Sequence, residues 1–187
     1  MSVCIENKTC IAEQIQSTQA QQTEGGGRIC FVCTGNTCRS PMASAVASFY
    51  AKKTQEAGKT CRLEISSAGL YAVEGDPITA QAVAALEEAG ILPTPERDFH
   101  AHRAHTLTGE EVERADLLVG MSGSHCMELL MRYPEAAQKI TCMPHPISDP
   151  FGGDLDVYRT CLEQITEGVV SLLFSTEWRG DGEVDRA

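Results

Sequence analysis

The segment that most constrains this chain is residues 28–41. An apolar run, Arg28-Ile29-Cys30-Phe31-Val32, enters the loop Cys33-Thr34-Gly35-Asn36-Thr37-Cys38-Arg39-Ser40, and Ser40-Pro41 opens a helix. A loop between a strand and a helix N-terminus can wrap one tetrahedral oxyanion in backbone N–H groups, where the helix dipole favours negative charge. Arg39 adds a two-pronged, charge-assisted clamp on two oxygens of that anion. The same field stabilises the thiolate of Cys33, the form that attacks as a nucleophile. A cysteine and an arginine separated by five residues in such a loop imply a pocket for phosphoryl transfer.

Strand and helix patterns alternate from Arg28 onward. The loop is followed by a helix over 41–57, with Met42, Ala45, Val46 and Phe49 on one apolar stripe. Further strands are expected at 62–66, 117–121 and 139–143. Between them, Asp76-Pro77 reads as the start of a helix closed by Gly90. Thr108-Gly109-Glu110-Glu111 fits a capping box before a short helix, and another helix spans 124–133. A last helix begins near Asp154, with Val157, Cys161, Ile165, Val169 and Leu172 as its buried stripe. Strands alternating with helices imply an α/β fold, a three-layer α/β/α sandwich around a four-stranded parallel sheet. Ligands of such sheets bind beyond the carboxyl ends of the strands. That rule brings residues 33–40 and 144–153 together.

Composition narrows the class further. A net charge of −11 argues against nucleic-acid binding, which needs a basic surface, and favours partners with basic surfaces. No apolar run reaches the roughly 18 residues of a membrane span, and the first thirty residues lack a secretory pattern. Nine cysteines with irregular spacing and no zinc-type pairing suggest mostly free thiols in a reducing cytosol, hence a cytoplasmic protein. Residues 1–27 hold Gln14, Gln16, Gln19, Gln21 and Gln22, end in three glycines, and read as a mobile extension carrying incidental Cys4 and Cys10. The domain proper is expected over 28–174, with 175–187 as a tail in which Trp178 is a packing anchor.

After the fourth strand comes Pro144-His145-Pro146-Ile147-Ser148-Asp149-Pro150-Phe151-Gly152-Gly153. A cysteine nucleophile needs a positioned acid to protonate the leaving atom and then a base for the hydrolytic water. Asp149 fits both tasks, with Pro150 restricting its backbone and Phe151 offering an apolar wall. Taken alone, Asp149-Pro150 is a turn initiator; beside the Cys33 loop, the catalytic reading takes precedence. His100, His105, His125 and His145 form no ligand set and read as surface or capping residues, and Glu110, Glu111 and Glu113 as a solvated acidic face.

Together, C-T-G-N-T-C-R-S-P at 33–41 and D-P-F-G-G at 149–153 resemble the low-molecular-weight protein tyrosine phosphatase family. Ser66-Ser67-Ala68-Gly69, His102-Arg103-Ala104-His105 with Thr108, and Ala115-Asp116-Leu117-Leu118-Val119 extend the likeness over about 28–174. The resemblance implies Cys33 as nucleophile, Arg39 as transition-state clamp and Asp149 as general acid and then base. Backbone amides from Thr34 through Gly35, Asn36, Thr37 and Cys38 to Arg39 would hold the phosphoryl oxygens. Ser40 would hydrogen-bond the Cys33 sulfur, and Asn36, supported by Ser67 and His102, would hold the loop in shape. No metal or other cofactor is implied, because Arg39 and the amides balance the developing charge. Cys38 would either form a reversible disulfide with Cys33 or pack beneath the loop.

The family includes phosphotyrosine-directed and phosphoarginine-directed members and arsenate reductases. Thr37, where tyrosine-directed members usually carry isoleucine, and a single Phe151 followed by glycines resemble the arginine-directed branch. The substrate implied is protein phosphoarginine, with a protein arginine kinase as functional counterpart; phosphotyrosine is the alternative. Arsenate reduction is disfavoured because Met121-Ser122-Gly123-Ser124-His125-Cys126 has no further cysteine until Cys142. A non-catalytic phosphate-binding module would need neither Cys33 nor Asp149.

Overall fold

The computed structural model of the protein describes residues 27–56, 63–95 and 97–174. The expectations for the N-terminal extension, for Trp178 and for the C-terminal tail lie outside the described residues, Gly27 excepted. Strands β1 (Arg28–Cys33), β2 (Glu64–Gly69), β3 (Leu117–Gly120) and β4 (Ile140–Cys142) form one parallel sheet in the order β2-β1-β3-β4. Among the described residues five α-helices accompany it: α1 (Arg39–Glu56), α2 (Ala80–Glu88), α3 (Gly109–Arg114), α4 (Gly123–Arg132) and α5 (Leu155–Phe174).

Period-two alternation of β1 builds both faces of the molecule. Ile29, Phe31 and Cys33 join one core with α1, α2 and α5, whereas Cys30 and Val32 join a second core with Leu107, Val112 and Leu129. A strand buried on both faces must be apolar throughout, and every residue of β1 after Arg28 is buried. The chain leaves β1 toward β2 on one side and returns to β3 on the other. The crevice where that direction switches lies at the carboxyl ends of β1 and β3.

Several boundaries differ from the sequence expectation. Residues 76–79 run extended rather than helical: Asp76 O accepts from Ala104 N, Pro77 bridges Arg103, and Thr79 N donates to Thr37 O. These bonds brace the Cys33 loop, and α2 starts only at Ala80, with Thr79 as its N-cap. Gly90 does follow its end, at φ 75°. The second strand runs to Gly69 rather than Ser66. Lys139 belongs to a 3₁₀ turn rather than to β4. The buried face of α5 is rotated by about one residue. Tyr158, Cys161, Leu162, Ile165 and Val169 are buried, while Val157 is exposed and Leu172 only partly covered. The expected capping box is present: Thr108 Oγ1 accepts from Glu111 N, and Glu111 Oε2 accepts from Thr108 N.

Among the described cysteines, Cys126 and Cys142 are joined in a disulfide, with Cα atoms 6.0 Å apart. The disulfide is an exception to the expectation of mostly free thiols, and it pairs Cys126 with the Cys142 that sequence spacing sets aside. Parallel pairing of β3 with β4 sets Gly120 opposite Cys142, and α4 folds back over that end, bringing Cys126 to the same place. Cys30, Cys33, Cys38 and Cys161 are free and buried.

Candidate active site

The loop after β1 is held in place chiefly by Asn36. Its backbone sits at φ 56°, a left-handed conformation that asparagine tolerates better than most residues. Each of its polar groups has a partner. Its N–H donates to Cys33 Sγ at 3.3 Å, and its carbonyl accepts from His102 Nε2 at 2.8 Å. Its Oδ1 accepts from His105 N, and its Nδ2 donates to Ser40 Oγ at 3.0 Å and Ser67 Oγ at 3.1 Å. Asn36 is fully buried, so losing any partner would leave an unsatisfied group away from water.

Ser40 Oγ lies 3.0 Å from Cys33 Sγ and 3.3 Å from the carbonyl of Ala68. Since Asn36 already donates to this oxygen, its single proton can turn to the sulfur when Cys33 is a thiolate. It turns to Ala68 when the thiol itself donates. Both charge states of Cys33 are thereby matched. Cys38 starts the first turn of α1 through its carbonyl, which accepts from Met42 N. Pro41 therefore falls in the first turn, where a missing N–H costs nothing.

Arg39, its side chain 9% exposed, donates from Nη2 to Asp149 Oδ2 at 2.7 Å; Asp149 is 55% exposed. Cys33, Thr34, Gly35, Thr37, Cys38, Arg39, Asp149 and Phe151 line one open cavity of about 230 Å³. Two sequence segments 110 residues apart thus meet at the carboxyl edge of the sheet. Phe151, 75% exposed, stands at the mouth, and Asp149 Oδ1 accepts from its N–H at 3.2 Å. Ser67 and His102 each hydrogen-bond Asn36 and are not among the residues that line the cavity, so they support the loop from behind.

Two neighbours of the loop escaped sequence reasoning. His125, expected as a surface or capping residue, is buried. Its Nε2 lies 3.0 Å from Thr34 Oγ1, and its Nδ1 lies 2.7 Å from Ser122 Oγ, the N-cap of α4. Burial first, then the charge of Arg39, holds its pKa below the ordinary histidine range, against the pull of Asp149. Its place directly after β3, at the switch point of the sheet, was the available signal. Tyr158 OH lies 3.1 Å from Cys38 Sγ, and burial with that contact pushes its pKa up to about 12. Its signal was the apolar spacing of α5, taken one residue out of phase. His105 pairs with Glu111 at 2.7 Å, so Glu111 is tied inward rather than part of a free acidic face. His100 pairs with Glu87 and His145 is exposed. Among the described residues, no cluster of His, Cys, Asp or Glu is gathered as a metal site, and no helix is long and apolar enough to cross a membrane.

Comparison with known proteins finds relatives in sequence and in fold. A protein-arginine-phosphatase of Geobacillus stearothermophilus is 36% identical over 145 residues, spanning 74% of this chain and 88% of that protein. The crystal structure of a low molecular weight protein tyrosine phosphatase from T. tengcongensis is similar at TM-score 0.68 and 36% identity, covering 79% of this chain and 98% of that one. A cysteine-to-serine variant of the YwlE arginine phosphatase, with a phosphorylated active-site serine, is similar at TM-score 0.68 and 29% identity, covering 78% and 93%. The family model for low molecular weight phosphotyrosine protein phosphatases matches residues 28–181, and the chain belongs to that family.

Proposed function

We propose that the protein hydrolyses phosphoarginine in protein substrates through a phosphocysteine intermediate. The observation that carries this reading is the meeting of Cys33, Arg39 and Asp149 around one cavity. The Cys33 thiolate attacks phosphorus, forming an S–P bond as the P–N bond breaks, and Asp149 gives its proton to the leaving guanidine nitrogen. Water then attacks the phosphocysteine while Asp149 takes its proton. The S–P bond breaks, phosphate leaves, and Ser40, 3.0 Å from the sulfur, donates a hydrogen bond to the restored thiolate. Arg39 and the backbone amides of residues 34–39 stabilise the charge that builds on the phosphoryl oxygens. Arg39, which bonds Asp149 in the free protein, turns to the phosphoryl oxygens when substrate binds and releases the carboxyl toward the leaving group.

Thr37 supports the choice of phosphoarginine. It lines the cavity at a position where isoleucine would add apolar bulk, and the related Geobacillus stearothermophilus protein is a protein-arginine-phosphatase. Phosphotyrosine is the second reading, since the family also holds tyrosine phosphatases and Phe151 can meet a ring at the mouth. The unit responsible is residues 28–174, with 1–27 as an addition. We include in the proposal a cytoplasmic setting, which suits a reduced nucleophile, and a protein arginine kinase as the counterpart that would supply the substrate.

The test is side-by-side turnover of phosphoarginine and phosphotyrosine, free and in peptides, with Cys33→Ser as blank. A phosphoarginine preference that Thr37→Ile shifts toward phosphotyrosine supports the reading. A wild-type preference for phosphotyrosine overturns the substrate while leaving the mechanism.

A further inference from the structure

Thr34 lies next to the nucleophile, is exposed, and lines the cavity. Its hydroxyl is held by a chain that runs through buried His125 to exposed Ser124: Thr34 Oγ1 to His125 Nε2 at 3.0 Å, His125 Nδ1 to Ser122 Oγ at 2.7 Å, and Ser122 Oγ to Ser124 Oγ at 2.8 Å. Ser122 Oγ also accepts from His125 N as the cap of α4. A neutral imidazole has one donor and one acceptor, so the chain closes in two ways. In one, Ser122 donates to Nδ1 and Nε2–H donates to Thr34. In the other, Nδ1–H donates to Ser122, Ser122 to Ser124, and Thr34 donates to Nε2. Thr34 Oγ1 has two lone pairs and gives up at most one of them to this chain. In either arrangement it keeps an acceptor lone pair for the cavity.

A phosphoguanidine carries several N–H groups beside the reacting nitrogen, whereas a phenyl phosphate carries none. Asp149 cannot serve all of those donors while it also handles the proton of the leaving nitrogen. A guanidine without acceptors for its N–H groups in a partly desolvated mouth would bind poorly. We propose that Thr34, held by His125, is a second specificity-determining residue, whose hydroxyl oxygen accepts a guanidine N–H of the phosphoarginine substrate. His125 is a positioning residue: it fixes the Thr34 rotamer without touching substrate. The inference rests on the phosphoarginine reading above and adds to it an acceptor on the β3 side of the cavity.

The experiment measures kcat/KM of the full chain for a phosphoarginine peptide and for a phosphotyrosine peptide, and compares their ratio among variants. Any loss common to both substrates cancels in that ratio. Thr34→Val keeps the β-branched shape, removes the hydroxyl, and should lower the ratio about 10-fold, the effect of one hydrogen bond to a polar partner. Thr34→Ser keeps the hydroxyl and should hold the ratio within about twofold, since the acceptor survives. His125→Leu should lower the ratio as well, and adding it to Thr34→Val should lower it no further, because both changes break one unit. Equal losses on both substrates with Thr34→Val, or a ratio that does not move, overturn the proposal. A wild-type chain inactive on phosphoarginine overturns the substrate reading itself, and the proposal with it. The two failures are separable because the first is read in the variants and the second in the wild type.

Discussion

Asn36 is the residue with most bonds to the loop and its neighbours, and the histidine that meets it sets a dependence on acidity. His102 donates from Nε2 to Asn36 O at 2.8 Å. Burial holds its pKa below the ordinary histidine value, the hydrogen bond to Asn36 O opposes this, and the charges of His105 and Arg103 reinforce it. In the unfolded chain His102 binds a proton near pH 6.5, the usual histidine value. In the folded chain it does so only at lower pH, so between the two values the unfolded state holds more protons. Stability contributed here is therefore present above about pH 6.5 and is lost as pH falls toward the depressed folded value. His125 shifts in the same direction. Thermal unfolding followed from pH 7.5 down to 5 should show a falling Tm, with a shallower slope in His102→Gln. Equal slopes in the two proteins would remove His102 from the account.

At the scale of elements, β2 acts through its last residue. A Cβ at Gly69 would stand 2.8 Å from Thr34 O, 2.9 Å from Ala72 Cβ and 3.2 Å from Asn36 Cβ. Backbone at Thr34 must then move, and misplacing a reacting group by about 1 Å costs on the order of 100-fold in rate. Gly69→Ala should therefore lower kcat by 10- to 100-fold while the Tm falls by only a few degrees. A kcat within twofold of wild type would show that the loop accommodates the methyl. What sequence made legible divides along the same line. Residues 28–41 announced strand, loop and helix because apolar run, glycine and proline all agree locally, and the capping box at Thr108 is equally local. The segment 76–79 was misread because Asp-Pro is a good helix start by itself, whereas bonds to Thr37 and Ala104 hold it extended. His125 and Tyr158 were missed for a related reason. Their roles come from what packs against them, and a face chosen one residue out of phase put Val157 where Tyr158 belongs.

Across the whole molecule, the sheet order gathers everything chemical at one edge. The loop after β1 meets the first turn of α4 through Thr34 and His125, and the segment after β4 brings Asp149 to Arg39. The disulfide between Cys126 and Cys142 links the α4 and β4 flanks of that edge. No reading of spacing foresaw it, because its closeness is a product of β3–β4 pairing. The 2.7 Å contact between Arg39 and Asp149 has a further consequence. The protein carries its own competitor: a carboxylate already engages the guanidinium that an incoming anion needs. A weakly held monoanion gains little by displacing it, whereas a phosphoryl dianion gains a second charge and the loop amides as well. In the proposed mechanism the contact would set a threshold that filters the common anions around the protein, and the reaction product would meet the same threshold. In Asp149→Asn that internal rival is neutral. This variant should lose turnover yet retain inorganic phosphate more tightly, read by calorimetric titration as a lower Kd than that of the wild-type chain. An unchanged Kd would mean that Arg39 is shared without competition.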